Sequence, residues 1–403
     1  MRPIYLLFVL PIFFFTCTTK DGNILSFQSG TGSLEVTSTV PGARVFVDYR
    51  DSGKRTPAVI ENLPEGEHVV HLFLSKHEAS PESLIVNIRQ NELSAIDFEL
   101  TKSPTVGNMI VTSHPDSALV YVNRLPLGRT PLTIEGLAVG IHHLRVIKGN
   151  YATVEQMVQV TSDQVTEVEL NLQLYRQVLV EHFSNTDCTP CPAADAAIEE
   201  VLRAFGADSV AGISYHPNFP GSEDPMFLAA EQDNLARMNY YRLLAIPTVI
   251  VDGVITILSP NNLATLLTNA IETRIPEPPI ATLDLRGFRE VLHPPGDLRG
   301  TVVVEALESF PEDVVLRIAL IEKEIEFEVA PGINGQKRFT DVMRDFYPDA
   351  GGTPVQLATG ESARFDFAFD PQPEWSGELV VVAFLQVNST KEILNCIWSV
   401  LPE

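Results

Sequence analysis

The sequence predicts a multidomain chain: two small all-β modules, an α/β domain with a C-x-x-C motif, and a C-terminal β-sandwich. Three observations predict it. Pro41, Thr56-Pro57, Leu63, Gly66 and His68 recur 74 residues later as Pro115, Thr130-Pro131, Leu137, Gly140 and His142, so one small domain is present twice. A short apolar run, a polar turn holding Cys188-Thr189-Pro190-Cys191 and an amphipathic stretch follow one another between Gln177 and Phe205. After the Pro-rich segment Pro276-Glu277-Pro278-Pro279 the chain alternates apolar and polar residues again. At 403 residues it is too long for one core and long enough for three or four domains.

The N-terminus comes first. Met1-Arg2 is a positive start, Ile4 to Phe15 is a short apolar run, and Cys17 follows directly. The run is an export signal, too short to span a bilayer. It resembles a bacterial lipoprotein signal, which implies a signal peptide over 1–16 and lipidation of Cys17 as the first mature residue; Phe14-Phe15-Thr16 departs from the usual Leu-x-small pattern. A plain signal peptide with an incidental cysteine is the alternative. Thr18 after the cysteine resembles outer-membrane sorting, which implies a lipid-anchored protein of the bacterial cell envelope, facing the periplasm or the exterior. Residues 17–30 are polar with scattered Gly and Ser and read as a tether.

The two modules occupy 31–101 and 106–174. Arg44-Val45-Phe46-Val47-Asp48 in the first and Leu119-Val120-Tyr121-Val122-Asn123 in the second alternate in the manner of half-buried strands. Neither shows a helical stripe. Leu63-Pro64-Glu65-Gly66-Glu67-His68 resembles the PEGA domain of bacterial surface proteins, and Leu137-Ala138-Val139-Gly140-Ile141-His142 keeps its Gly and His but not its Pro and Glu. That resemblance implies a spacer or adhesion role. His68 and His142 read as half-exposed strand residues rather than metal ligands.

Residues 176–275 carry the chemistry. Gln177 to Phe183 reads as a buried strand, Ser184 to Asp187 as a turn, and Ala193 to Phe205 as a helix that the cysteines open. Pro192 is tolerated there because the first helical turn needs no internal N–H donor. Such a junction places the Cys188 sulfur over unpaired backbone N–H groups that favour a thiolate, with Cys191 one turn deeper as the resolving thiol. Asp208 to Tyr215 reads as a second strand, Pro225 to Leu244 as a helical insertion, and Thr248 to Asp252 with Val254 to Leu258 as a hairpin across Asp252-Gly253. A last helix covers 261–274.

The run VLVEHFSNTDCTPCP, then ISYHP at 213–217 and AIPTVIVDG at 245–253, resembles the thioredoxin superfamily, and within it the bacterial Omp28-type lipoproteins. The resemblance implies a redox-active disulfide between Cys188 and Cys191, a cis Pro247 packed against it, and Glu181 as a buried acid that accepts the Cys191 proton. A buried carboxylate near a thiol has a raised pKa and suits that task. The pattern departs from thioredoxin in lacking a Trp before Cys188 and in placing the acid one residue further away. The resemblance implies no cofactor. A static disulfide or half of a metal site stays open from the residues alone, although only His182 and His216 are near enough to add ligands.

Residues 280–403 alternate over Thr301 to Ala306, Val314 to Glu328 and Glu378 to Val387, which fits a β-sandwich. Asn334-Gly335-Gln336 with Thr340 to Arg344 resembles the later part of Omp28-type proteins. The string from Glu322 to Glu328 reads as a strand with a solvated acidic face. Cys396 reads as a buried small hydrophobe.

A net charge of -24 and a pI near 4.7 argue against nucleic acid as a partner, because phosphates would be repelled. Two functions fit the chain. One is an envelope-anchored thiol-disulfide oxidoreductase whose partners are exported proteins carrying dithiols or disulfides, with the membrane reached through the lipid anchor. The other is a non-enzymatic surface lipoprotein in which the dithiol domain is a scaffold.

Overall fold

In the first strand of each repeat every second residue is apolar, and those residues are the buried ones: Leu34 and Val36 in one, Met109 and Val111 in the other. The computed structural model describes residues 30–258, 261–288, 292, 298–372, 375 and 377–399. The signal peptide expected over 1–16 and Cys17 lie outside the described residues, as does the tether up to residue 29. The described chain is mostly β-strand, with few helices and several small sheets.

The first module is formed by β1 (Thr31–Ser38), β2 (Arg44–Val47), β3 (Arg50–Arg55), β4 (Ala58–Pro64), β5 (Gly66–Phe73), β6 (His77–Ser80), β7 (Ser83–Ile88) and β8 (Leu93–Lys102). Its sheets, ordered β4-β1-β8-β6 and β3-β2-β5-β7, enclose Leu34, Val45, Ile60, Val70 and Phe98. The second module has β9 (Val106–His114), β10 (Leu119–Val122), β11 (Leu125–Arg129), β12 (Leu132–Ala138), β13 (Gly140–Lys148), β14 (Tyr151–Val160) and β15 (Val165–Asn171), in sheets β12-β9-β15 and β11-β10-β13-β14. In both, the first strand pairs in parallel with the last.

The repeated residues have repeated jobs. The hydroxyls of Thr56 and Thr130 each accept a backbone N–H, from Ala43 at 3.2 Å and Ala118 at 3.0 Å, and each pairs with a serine at the end of the first strand. His68 and His142 are buried, not half-exposed. Each ring reaches across its hairpin so that Nε2 lies 2.9 Å from the carbonyl four residues earlier, on Pro64 or Ala138. A backbone carbonyl needs no particular side chain, which is why the second copy can lose Pro and Glu and keep Gly and His.

The remaining elements are β16 (Val178–Phe183), α1 (Cys191–Phe205), β17 (Val210–Tyr215), α2 (Pro225–Ala229), α3 (Glu231–Tyr241), β18 (Thr248–Val251), β19 (Ile255–Ile257), α4 (Leu263–Arg274), β20 (Ala281–Arg286), β21 (Leu298–Ala306), β22 (Val314–Glu326), β23 (Arg338–Tyr347), β24 (Thr353–Pro354), β25 (Ser362–Phe369), β26 (Leu379–Val387) and β27 (Ile393–Trp398). The helical insertion expected over 225–244 consists of two helices, separated at Ala230, whose φ of −144° and ψ of 46° leave the helical region. The hairpin turn is as expected: Asp252 and Gly253 both have positive φ, 47° and 75°. Gly253 is needed twice over, because a Cβ there would sit 1.8 Å from the Lys391 carbonyl oxygen.

The boundary expected at the Pro-rich segment separates two stretches of sequence but not two cores. Strands from both sides join one nine-stranded sheet, ordered β19-β18-β16-β17-β23-β22-β26-β27 with β24 beside β22. Phe183 and Tyr215 from one side share a cluster with Met343, Phe346 and Phe384 from the other. The far face of β22 and β26 packs on the sheet β20-β21-β25 through Leu316, Ile318, Val302 and Phe367, which is a two-sheet sandwich. The acidic face expected on β22 is not wholly solvated: Glu322 is buried and accepts two bonds from Arg344 at 2.8 and 2.6 Å.

Candidate functional site

The strand β16 is central in its sheet and buried on both faces, so its pleat decides which residue meets which partner. Val178 and Val180 pack with Ala194, Ile198 and Val201 of α1, whereas Leu179 and Phe183 pack with Tyr215 and Phe346 on the opposite face. His182 therefore points toward α1 and Glu181 away from it.

The turn between β16 and α1 is fixed by its own polar groups. Asn185 donates to the carbonyls of Pro217 and Gly221 at 2.8 and 2.9 Å and accepts from the Asp187 N–H at 2.9 Å. The Thr186 N–H donates to Asp224 at 2.9 Å. Cys188 and Cys191 form a disulfide, with Cα atoms 5.4 Å apart. Cys191 opens α1, and its buried stripe Cys191, Ala194, Ile198, Val201 faces the sheet. Thr189 and Pro190 are exposed, but Cys188 is only 3% exposed and Cys191 not at all.

The Ile246–Pro247 bond is cis, and Thr248 pairs with Phe183, so Pro247 lies at the end of the sheet from which the Cys188 turn leaves. Glu181 does not lie with the dithiol. It is fully buried on the other face, where Arg237 donates to it at 2.6 and 2.9 Å and Tyr241 Oη at 2.5 Å. Burial opposes the Arg237 charge, and the Glu181 carboxylate more than restores it, so the guanidinium pKa ends above its ordinary value. The proton-accepting role expected for Glu181 is corrected by the pleat: one residue of displacement along a strand is a change of face.

The groups on the dithiol face are His182 and Asp195, with His182 Nε2 3.7 Å from Asp195 Oδ1. Asp195 is one helical turn after Cys191 and accepts from Ser184 at 2.8 Å and from Gln336 at 3.1 Å. Burial lowers the His182 pKa; Asp195 raises it in part and His216 lowers it further. His216 is held at 2.8 Å by Asp224, which also caps α2 through the Met226 and Phe227 N–H groups. Sequence reasoning found both histidines and singled out the motif holding Gln336 without placing it at the site, but missed Asp195 and Asp224. A carboxylate at position i+4 of the second cysteine is a signal that could have found Asp195.

The segment 332–336, between β22 and β23, sits directly on the turn. The Ile333 N–H donates to Asp187 at 3.0 Å, the Asn334 N–H donates to the Thr186 carbonyl at 3.1 Å, and the Asn334 amide donates to the carbonyls of Asn185 and Cys188 at 3.1 and 3.4 Å. Gly332 passes so close that a Cβ would lie 2.3 Å from the Thr186 oxygen. Cys396, by contrast, is buried in β27 with its thiol pKa pushed well up by burial, and its Sγ donates to the Gln177 carbonyl.

No curated protein matches the chain. Among solved structures, part of it is similar to HBP35 of Porphyromonas gingivalis, at 15% identity and a TM-score of 0.45, covering 56% of this chain and 76% of that one. A protein from Agrobacterium tumefaciens is similar at 15% identity and a TM-score of 0.40, covering 57% and 99%. A streptococcal ancillary pilin is similar at 15% identity and a TM-score of 0.15, covering 36% and 63%. Residues 31–104 and 106–176 each match the family model of the PEGA domain, so the repeat is a pair of PEGA domains.

Proposed function

We propose that this chain is a surface or structural protein of the bacterial envelope, in which two PEGA domains form a rigid arm carrying a larger β-rich body. The observation that carries this reading is how the arm is joined. Asn150, fully buried at the β13–β14 turn, donates to the Cys396 carbonyl at 2.7 Å and accepts from the Leu283 N–H at 2.8 Å. The two modules are tied in turn by Arg44, which donates to the Pro126 and Leu127 carbonyls at 3.1 Å. The nearly complete burial of Cys188 also fits a structural disulfide. The lipid anchor at Cys17 and an outer-membrane location belong to this reading; incorporation of labelled fatty acid that is lost in Cys17→Ser supports the anchor, and equal labelling of both proteins refutes it.

A second reading is thiol–disulfide exchange at Cys188 and Cys191 in a thioredoxin-like setting, acting on exported proteins. It is favoured by one specific arrangement, a disulfide at a strand-to-helix junction with Pro247 at the same sheet end. Insulin reduction driven by a small dithiol separates the two. Equal inertness of wild type and Cys188→Ser supports the structural reading, whereas turnover lost in Cys188→Ser, with mixed disulfides trapped in Cys191→Ser, supports exchange.

A further inference from the structure

We propose that His182, and not Glu181, is the group that takes the proton from Cys191 when that thiol resolves a mixed disulfide; this rests on the exchange reading. The geometry carries it. His182 and Cys191 face the same layer between β16 and α1, and Glu181 faces the opposite one. His182 is buried, and its Nδ1 has no hydrogen-bond partner among the described residues. A buried, unpartnered ring nitrogen in the layer that also receives a buried sulfur is uncommon without a task. The groups facing the ring are Asp195 from α1, His216 and Ser214 from the β17 side, and Gln336 through Asp195. From β18 the neighbour is Val249, which does not titrate.

The lowered His182 pKa keeps the imidazole neutral near pH 7 and able to accept a proton. With the dithiol reduced, the Cys188 thiolate attacks a substrate disulfide and expels the first substrate thiolate. Cys191 Sγ–H then passes its proton to His182 and attacks Cys188 Sγ; the Cys188–substrate bond breaks, and the second substrate thiol leaves with a proton returned from the ring through solvent. Two electrons move from the protein dithiol to the substrate disulfide, and a small dithiol restores the reduced protein. Asp195 positions the ring and stabilises the transient imidazolium.

The test mixes the reduced full-length chain in single turnover with dithiobis(nitrobenzoate), an aromatic disulfide that releases one coloured thiolate at the first attack and another at the second. In His182→Gln the first phase stays within about twofold of wild type, and the second slows at least about tenfold below neutral pH, in line with the loss of a general base. Its pH dependence also moves up toward that of an ordinary thiol, about 8.5. Asp195→Asn, which keeps the ring, shifts the inflection of the second phase to lower pH. An unchanged second phase and pH profile in His182→Gln, with wild type showing both phases, overturns the assignment alone. Wild type showing neither phase overturns the exchange reading and the assignment with it.

Discussion

At the scale of single residues, one substitution between the repeats changes the electrostatics of a conserved contact within the chain. In the first PEGA domain Asp48 Oδ2 lies 2.7 Å from His68 Nδ1; in the second, Asn123 Nδ2 lies 3.1 Å from His142 Nδ1. The carboxylate raises the His68 pKa above 6.5, and His68 helps hold the Asp48 pKa below 3.8 against burial. The His68 contribution is complete below 6.5 and fades as pH rises through the raised value; the Asp48 contribution is complete above 3.8 and fades below it. The pair therefore stabilises most between those values. Asp48→Asn should lower stability there by up to about 1 kcal/mol, since Asp48 is partly exposed, and by little at pH 9, checked by urea unfolding at each pH. Glu181 makes a different prediction. Glu181→Ala leaves the Arg237 charge buried without its partner and should cost about 3–5 kcal/mol, while leaving the rate of Cys188 alkylation in the reduced protein unchanged. A large change in that rate with intact stability would return Glu181 to the dithiol.

At the scale of elements, register and pleat decide what the site contains. The strand β16 could be placed from its apolar run, but its two faces are both buried, so alternation does not announce which residues point to α1. The segment 332–336 shows the same limit, because nothing in Asn334-Gly335-Gln336 says that it touches a turn some 146 residues earlier. Its close approach leads to a prediction. Gly332→Ala places a methyl against the Thr186 carbonyl and must push the segment off the turn, so the Cys188–Cys191 disulfide should be reduced by a small dithiol several-fold faster. An unaltered reduction rate would mean that the segment does not limit access. The pair Asp233 and Phe346 ties α3 to β23 at 3.1 Å, and burial with the Asp345 charge pushes the Asp233 carboxyl up to about 6. Being raised, it favours the fold below 3.8 and loses that contribution as pH climbs through 6, so Asp233→Asn should raise stability by about 1 kcal/mol at pH 8 and change it little at pH 4.

At the scale of the whole molecule, the body is held together by a sheet that crosses the expected domain boundary. A fragment ending at residue 276 would expose Leu179, Phe183, Ile213 and Tyr215, which lie at or near zero exposure against the C-terminal strands. Each such side chain is worth roughly 1.5–3 kcal/mol of burial, and the β17 edge would be left unpaired. That fragment should be insoluble or molten, and a well-dispersed amide spectrum from it would show two independent cores. The second PEGA domain meets the body at its β13–β14 turn, through Gly149 and Asn150. Gly149 at φ +28° lies where a Cβ would be 2.2 Å from the Leu283 carbonyl oxygen, so Gly149→Ala should loosen the second PEGA domain from the body and increase the radius of gyration in solution scattering. An unchanged radius would show that the arm is held elsewhere.

The sequence by itself determined the repeat, its all-β character, the strand, turn and helix around Cys188 and Cys191, and the Asp252-Gly253 hairpin, because each depends on periodicities and turn residues within about a dozen positions. Only the tertiary structure decided that Glu181 belongs to the Arg237 face, that His68 and His142 close hairpins from buried positions, and that strands on both sides of 276–279 share a sheet. Those outcomes turn on which face of a doubly buried strand meets which neighbour. Local pattern does not encode that choice; it is settled by the long-range packing of Tyr215, Phe346 and Phe384 on one side of β16 and of α1 on the other.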